Sequence, residues 1–175
     1  MNKKGFTLIE LIIYISAFAV ITVILANFII NLINVQAKIK IDKEVSENSQ
    51  RAMEIITWQI KHAQGIYQPT SSFDIHPGQL SLETDQNKPN GEEITYIDFY
   101  LDENQQLCLK KEESEAIPLT SGKVKINQLI FNYLIDGSNN QAIRIEMLSS
   151  YRNPSQKVFY QSSSTLISTV NLRND

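Results

Sequence analysis

Glu10 is the residue whose type and position most demand an explanation. It directly precedes Leu11–Val35, a run without a single charge. A carboxylate within an apolar helix is costly, about 2.5–3.5 kcal/mol at mid-helix on insertion scales and less near an end. A charge kept in such a place has a partner or a role. The other candidates for chemistry have plainer readings. His62 and His76 are the only histidines and no H-x-x-x-H pair exists, so a zinc site has little support. Cys108 is the single cysteine, which excludes an intramolecular disulfide and a Cys-rich metal site. It would need a base beside it to act as a nucleophile, and a buried residue in a strand is the better reading. Asp136, Ser138 and Asn140 alternate as if to present oxygens to calcium. The remaining carboxylates are missing, so a turn is preferred. The acidic stretch Glu112-Glu113-Ser114-Glu115 reads as a solvated loop. No G-x-S-x-G, Walker A or dinucleotide fingerprint occurs, and neither a metal nor another cofactor is expected.

The elements around Glu10 divide the chain in two. The 25 residues of Leu11–Val35 would form a helix about 37 Å long, enough to cross a bilayer core of about 30 Å with some tilt. Ala17-Phe18-Ala19 has the form of a signal-peptidase site, but the apolar run continues well past it, which favours a retained anchor. Lysines flank both sides of the run: Lys3 and Lys4 before it, Lys38, Lys40 and Lys43 after it. The charge rule for orientation is therefore ambiguous. The long C-terminal part is placed outside because it follows a short leader. Tyr14, near one end of the segment, suits an interfacial aromatic belt or a helix–helix contact.

Between Phe6 and Gln64 there is neither glycine nor proline. Beyond the apolar run, Ile41, Val45, Ala52, Ile56, Ile60 and Ala63 recur at spacings of four, seven, four, four and three, one face of a helix. Charged residues occupy mostly the other positions. Gly65 stands where a C-terminal cap belongs, and Pro69 follows. The pattern predicts one helix from Phe6 to about Gln64. Trp58 lies off the stripe, so it either meets a partner or packs under the sheet; Tyr67 is a second candidate anchor.

After Gly65 the period falls to two. Thr95, Ile97, Phe99 and Leu101 share one face of a strand, and Gln106–Lys111 returns as its hairpin partner. Leu129, Phe131, Tyr133 and Ile135 alternate, as do Ile143, Ile145 and Met147, and a last strand lies near Leu166–Leu172. Pro69–His76 and Thr84–Glu92 read as loops. The fold class expected is α+β, an antiparallel sheet packed on the helix stripe. The net charge of −3 disfavours bulk nucleic-acid binding.

Met1-Asn2-Lys3-Lys4-Gly5 followed by Phe6-Thr7-Leu8-Ile9-Glu10 resembles the class III signal of type IV pilins and type II secretion pseudopilins. The resemblance implies a pilin-like fold and a set of roles. A prepilin peptidase would cut between Gly5 and Phe6 and methylate the new amino group of Phe6. Glu10 would attract the amino terminus of a neighbouring subunit during filament assembly, since an ammonium and a carboxylate in a low-dielectric medium both gain by meeting. It implies a leader at 1–5, a transmembrane and filament-core helix at 6–36, the amphipathic half of that helix at 37–65, and an extracytoplasmic β-sheet domain at 66–175. Many major pilins carry a mid-helix breaker and a C-terminal disulfide loop. This chain has neither, and its Glu10–Tyr14 and Arg51–Gln64 segments look more like a minor pilin or a J-class minor pseudopilin.

The expected function is that of a non-enzymatic minor pilin-like subunit of a type IV pilus or type II secretion filament. Its partners would be the prepilin peptidase, sister pilin or pseudopilin subunits, an inner-membrane assembly platform and, before assembly, membrane lipid. It would begin as a single-pass cytoplasmic-membrane protein and move into a surface or periplasmic filament. A filament-tip binding module for DNA, a surface or an exported protein is the alternative, with DNA disfavoured by charge. A membrane-anchored enzyme is the least supported.

Overall fold

The computed structural model describes residues 7–86, 88, 91–112, 114–135, 137, 140–153 and 160–172. The helix α1 runs unbroken over Leu8–His62, 55 residues or about 82 Å. Thr7 caps its start in an extended conformation. Its end departs from the expectation. The cap is Ala63, with φ −72° and ψ 145°, and Gly65 is instead the first residue of a strand. No left-handed residue is needed because the chain leaves the helix directly into extended pairing, with the Gln64 N–H donating to Glu83 O at 2.8 Å.

Eight strands follow, divided between two antiparallel sheets rather than gathered in one. The first sheet has the order β1–β2–β3–β4–β5, from β1 (Gly65–Ile66), β2 (Leu80–Thr84), β3 (Thr95–Leu101), β4 (Leu107–Lys111) and β5 (Ile117–Pro118). The second has the order β6–β7–β8, from β6 (Val124–Ile135), β7 (Gln141–Tyr151) and β8 (Ser163–Asn171). The predicted β3–β4 hairpin forms, with Phe99 opposite Leu109 and Leu101 opposite Leu107. Along β3 the buried positions are Thr95, Ile97 and Phe99. In the second sheet Phe131 faces Ile145, and Ile145 faces Ser168; a bulge lies between Ile126 and Gln128.

All six stripe residues on α1 are buried, Ala52, Ile56 and Ile60 completely. Ala52, Ile56, Ile60 and Ala63 join both sheets in one core with Leu80, Phe99, Leu107, Leu129, Phe131 and Ile143. The result is a pilin-like α+β fold, a long helix packed against antiparallel sheets. The seven-residue step between Val45 and Ala52 is filled by Ser49, a polar residue with no exposure. Its hydroxyl donates to Val45 O at 2.7 Å and meets the Ser149 hydroxyl on β7, whose single proton is directed either to Ser49 Oγ or to Ser164 O at 3.2 Å. Burial of these hydroxyls is tolerable because each is paired.

The segment between β1 and β2 contains a short 3-10 turn at Gln68–Thr70 and then covers the open edge of β6. Asp74 N–H donates to Phe131 O, and Gly78 N–H to Leu129 O, both at 2.9 Å. A Cβ on Gly78 would stand 3.1 Å from both Leu129 O and the Phe131 ring, so only glycine approaches this closely without displacing the strand.

Candidate functional site

The first turn of α1 builds the site around Glu10. Thr7 and Glu10 form a capping box. The Thr7 backbone N–H and hydroxyl both donate to Glu10 Oε2, at 3.1 and 3.0 Å, and the Glu10 N–H donates to Thr7 Oγ1 at 3.4 Å. Two orphan amide donors of the helix start are thereby satisfied, and the carboxylate sits at the positive end of the macrodipole. Glu10 Oε1 accepts no hydrogen bond among the described residues. Thr7 had not been singled out by the sequence reading. The signal was there, since T-x-x-E before an apolar run is the capping-box pattern.

The surface behind this turn is apolar and uncovered. Leu8 is 77% exposed, Phe18 71% and Phe28 63%, and no other described residue covers them. The helix is long and apolar enough here to cross a membrane, with a mean hydropathy of 2.6 over its most apolar window. Three polar side chains within it turn back on their own backbone. Ser16 donates to Ile13 O at 2.9 Å, Thr22 to Phe18 O at 2.8 Å and Asn27 to Val23 O at 3.0 Å. Such bonds keep polar groups satisfied where no water is present.

The other residues weighed from sequence do not converge. His62 is exposed on α1 and stacks on Trp58, ring centroids 4.3 Å apart, with its Nδ1 2.8 Å from Trp58 O. Trp58 is half-exposed, on the outer side of the helix and not under a sheet. His76 accepts from the Leu129 N–H through Nδ1 at 3.1 Å and belongs to the cover of β6. Cys108 is a free, buried cysteine in β4, and burial pushes its thiol pKa up, away from nucleophilic use. Tyr67 is half-buried and packs against Tyr96 at 4.8 Å. Among the described residues no three His, Cys, Asp or Glu side chains cluster as metal ligands. Gly5, Phe6, Glu113, Asp136 and Ser138 lie outside the described residues.

Residues 1–26 match one family model, the prokaryotic N-terminal methylation motif. The chain thus carries the type IV pilin/pseudopilin class III signal. That motif implies processing by a prepilin peptidase, and with the uncovered apolar helix it indicates a membrane-anchored precursor. No curated protein and no solved structure matches the chain.

Proposed function

We propose that this protein is a minor pilin-like structural subunit, a pseudopilin, of a type IV pilus or type II secretion filament. The observation that carries the reading is the front half of α1, where large aliphatic and phenylalanine side chains from Leu8 to Val35 stand at least 45% exposed among the described residues. A single chain in water does not keep such a surface bare. Lipid covers it first and the equivalent helices of sister subunits cover it afterwards. The peptidase cuts between Gly5 and Phe6 and methylates Phe6. The freed amino group of one subunit then meets Glu10 of its neighbour, whose Oε1 remains available while Oε2 is held by Thr7. A lone carboxylate and a lone ammonium in apolar surroundings each remove the other's desolvation cost, which fixes the axial register. The work is assembly and involves no bond-making by this chain. The inner-membrane assembly platform and the sister subunits are its partners. The body beyond residue 65 is extracytoplasmic.

Intact mass and N-terminal sequencing of membrane-extracted protein, with and without a matched prepilin peptidase, test the pathway. A product starting at N-methylated Phe6 is expected. Retention of Met1–Gly5 beside an active peptidase would overturn the reading. Glu10→Ala is expected to leave processing and the fold of the body intact and to abolish or strongly reduce incorporation into filaments. Normal incorporation would remove Glu10 from the assembly role.

A further inference from the structure

Just beyond the uncharged segment, an open polar cavity of about 900 Å³ lies between α1 and the second sheet. Lys38, Lys125 and Arg152 line it, and among the described residues Asp42 is its single carboxylate. The Lys38 ammonium donates to Asp42 Oδ1 at 2.8 Å and to Gln161 O, so this pair cancels its own charge. Arg152 is anchored by its Nε–H to Gly122 O at 3.2 Å and by one Nη–H to Asn104 O, with no carboxylate opposite among the described residues. Lys125, half-buried on β6, makes no hydrogen bond or ion pair among the described residues. Among the described residues two positive charges therefore face the cavity uncompensated, in a chain whose net charge is −3. The concentration of cations is local to this place.

The height of the cavity along the helix says what it would meet. Lys38 stands about 4.5 Å beyond Val35 along the axis, and Asp42 about 10 Å. The headgroup layer extends roughly 5–8 Å on each side of a hydrocarbon core of about 30 Å. With the apolar segment in a bilayer, the cavity mouth opens at headgroup level. A guanidinium fixed by backbone carbonyls and an unpaired ammonium suit a phosphodiester, one by its planar fork and the other as a point charge. We propose that this cavity binds the phosphate headgroup of an anionic phospholipid, seating the body on the bilayer before the helix is drawn into a filament. This rests on the membrane-anchored reading above.

The test uses the full chain reconstituted in zwitterionic bilayers with and without phosphatidylglycerol. Phosphatidylglycerol retained per chain on native mass spectrometry is read together with amide exchange at Ser150–Asn153 and Gln161–Ser163. Retention and slowed exchange with phosphatidylglycerol are expected. Lys125→Gln should lower retention about fivefold, whereas Lys61→Gln, the same charge change at the far end of α1, should not. Equal loss in both variants would mean diffuse attraction and would overturn the site. The same slowing by inorganic phosphate in a purely zwitterionic bilayer would make it a site for soluble anions and overturn the lipid assignment. Insertion into the bilayer without phosphatidylglycerol preference would also sink the proposal while leaving the anchor intact. Failure to insert at all would instead overturn the membrane reading on which it rests.

Discussion

The two halves of α1 are one helix held in two different ways. From Leu8 to about Val35 its large aliphatic side chains stand exposed among the described residues, and Ser16, Thr22 and Asn27 bond back to their own turn. From Ile41 to Ile60 one face is buried, from Ala52 onward in a core shared with both sheets, and the flank is tied by side chains to the segment after β5. There Asn48 Oδ1 accepts from the Ser121 N–H at 2.8 Å, Glu44 accepts from the Ser121 hydroxyl, and Arg51 donates to Leu119 O. The rear half thus draws its stability from this chain's own packing, and the front half from whatever covers it. Without a glycine or proline between the halves, helical hydrogen bonding runs through and the body stays rigidly attached to its anchor. The difference teaches where function sits. The half that contributes little to the stability of the monomer is the half left available for contacts outside the chain.

The sharpest way to break this comparison is to truncate the same residue type in each half. Ile60→Ala should destabilise the body by about 2–5 kcal/mol, because a fully buried side chain leaves a cavity between helix and sheets. Ile24→Ala should change stability by less than about 0.5 kcal/mol, since Ile24 is 62% exposed. Chemical denaturation of the full chain in detergent micelles measures both, and equal losses would refute independent support of the two halves.

A smaller effect sharpens the description of the rear half. Ser49→Ala should cost about 1–3 kcal/mol in the same assay, by leaving the buried Ser149 hydroxyl with one partner fewer. If the polar step in the stripe matters only through this pairing, adding Ser149→Ala should cost less than its own single substitution. Additive losses would show that the two serines do not act together.

The smallest effect concerns the junction between the halves. The Lys38 ammonium first, and then a hydrogen bond from Ser162, hold the Asp42 carboxyl below the usual carboxylate range. A lowered folded-state pKa stabilises the fold above the unfolded value, 3.8, and that contribution is lost as pH falls through the lowered folded value. Because Asp42 is half-exposed, the stabilisation is worth no more than a few tenths of a kcal/mol. Asp42→Asn should therefore lower the melting temperature slightly near neutral pH and not at all in strong acid. A difference that persists in strong acid would assign the effect to packing.

The sequence by itself determined the long helix, its uncharged front, the buried stripe and the alternation of β3, β6 and β7. Each is written in a period of 3.6 or 2 over enough residues to be read locally. The capping box at Thr7 and Glu10 is equally local, because it forms within four residues. Only the tertiary structure decided that the strands divide into two sheets, since sheet membership depends on which edges meet and not on alternation. Tertiary structure also made Ser49 a core residue, because Ser149 arrives from a strand a hundred positions away to pair with it. It ended the helix at Ala63, where strand pairing with Glu83 replaced the expected glycine cap. It also set Lys125 and Arg152 beside Lys38, although nothing in the spacing of these three residues links them. A charge acts through space, and only folding fixes the distances across which it acts.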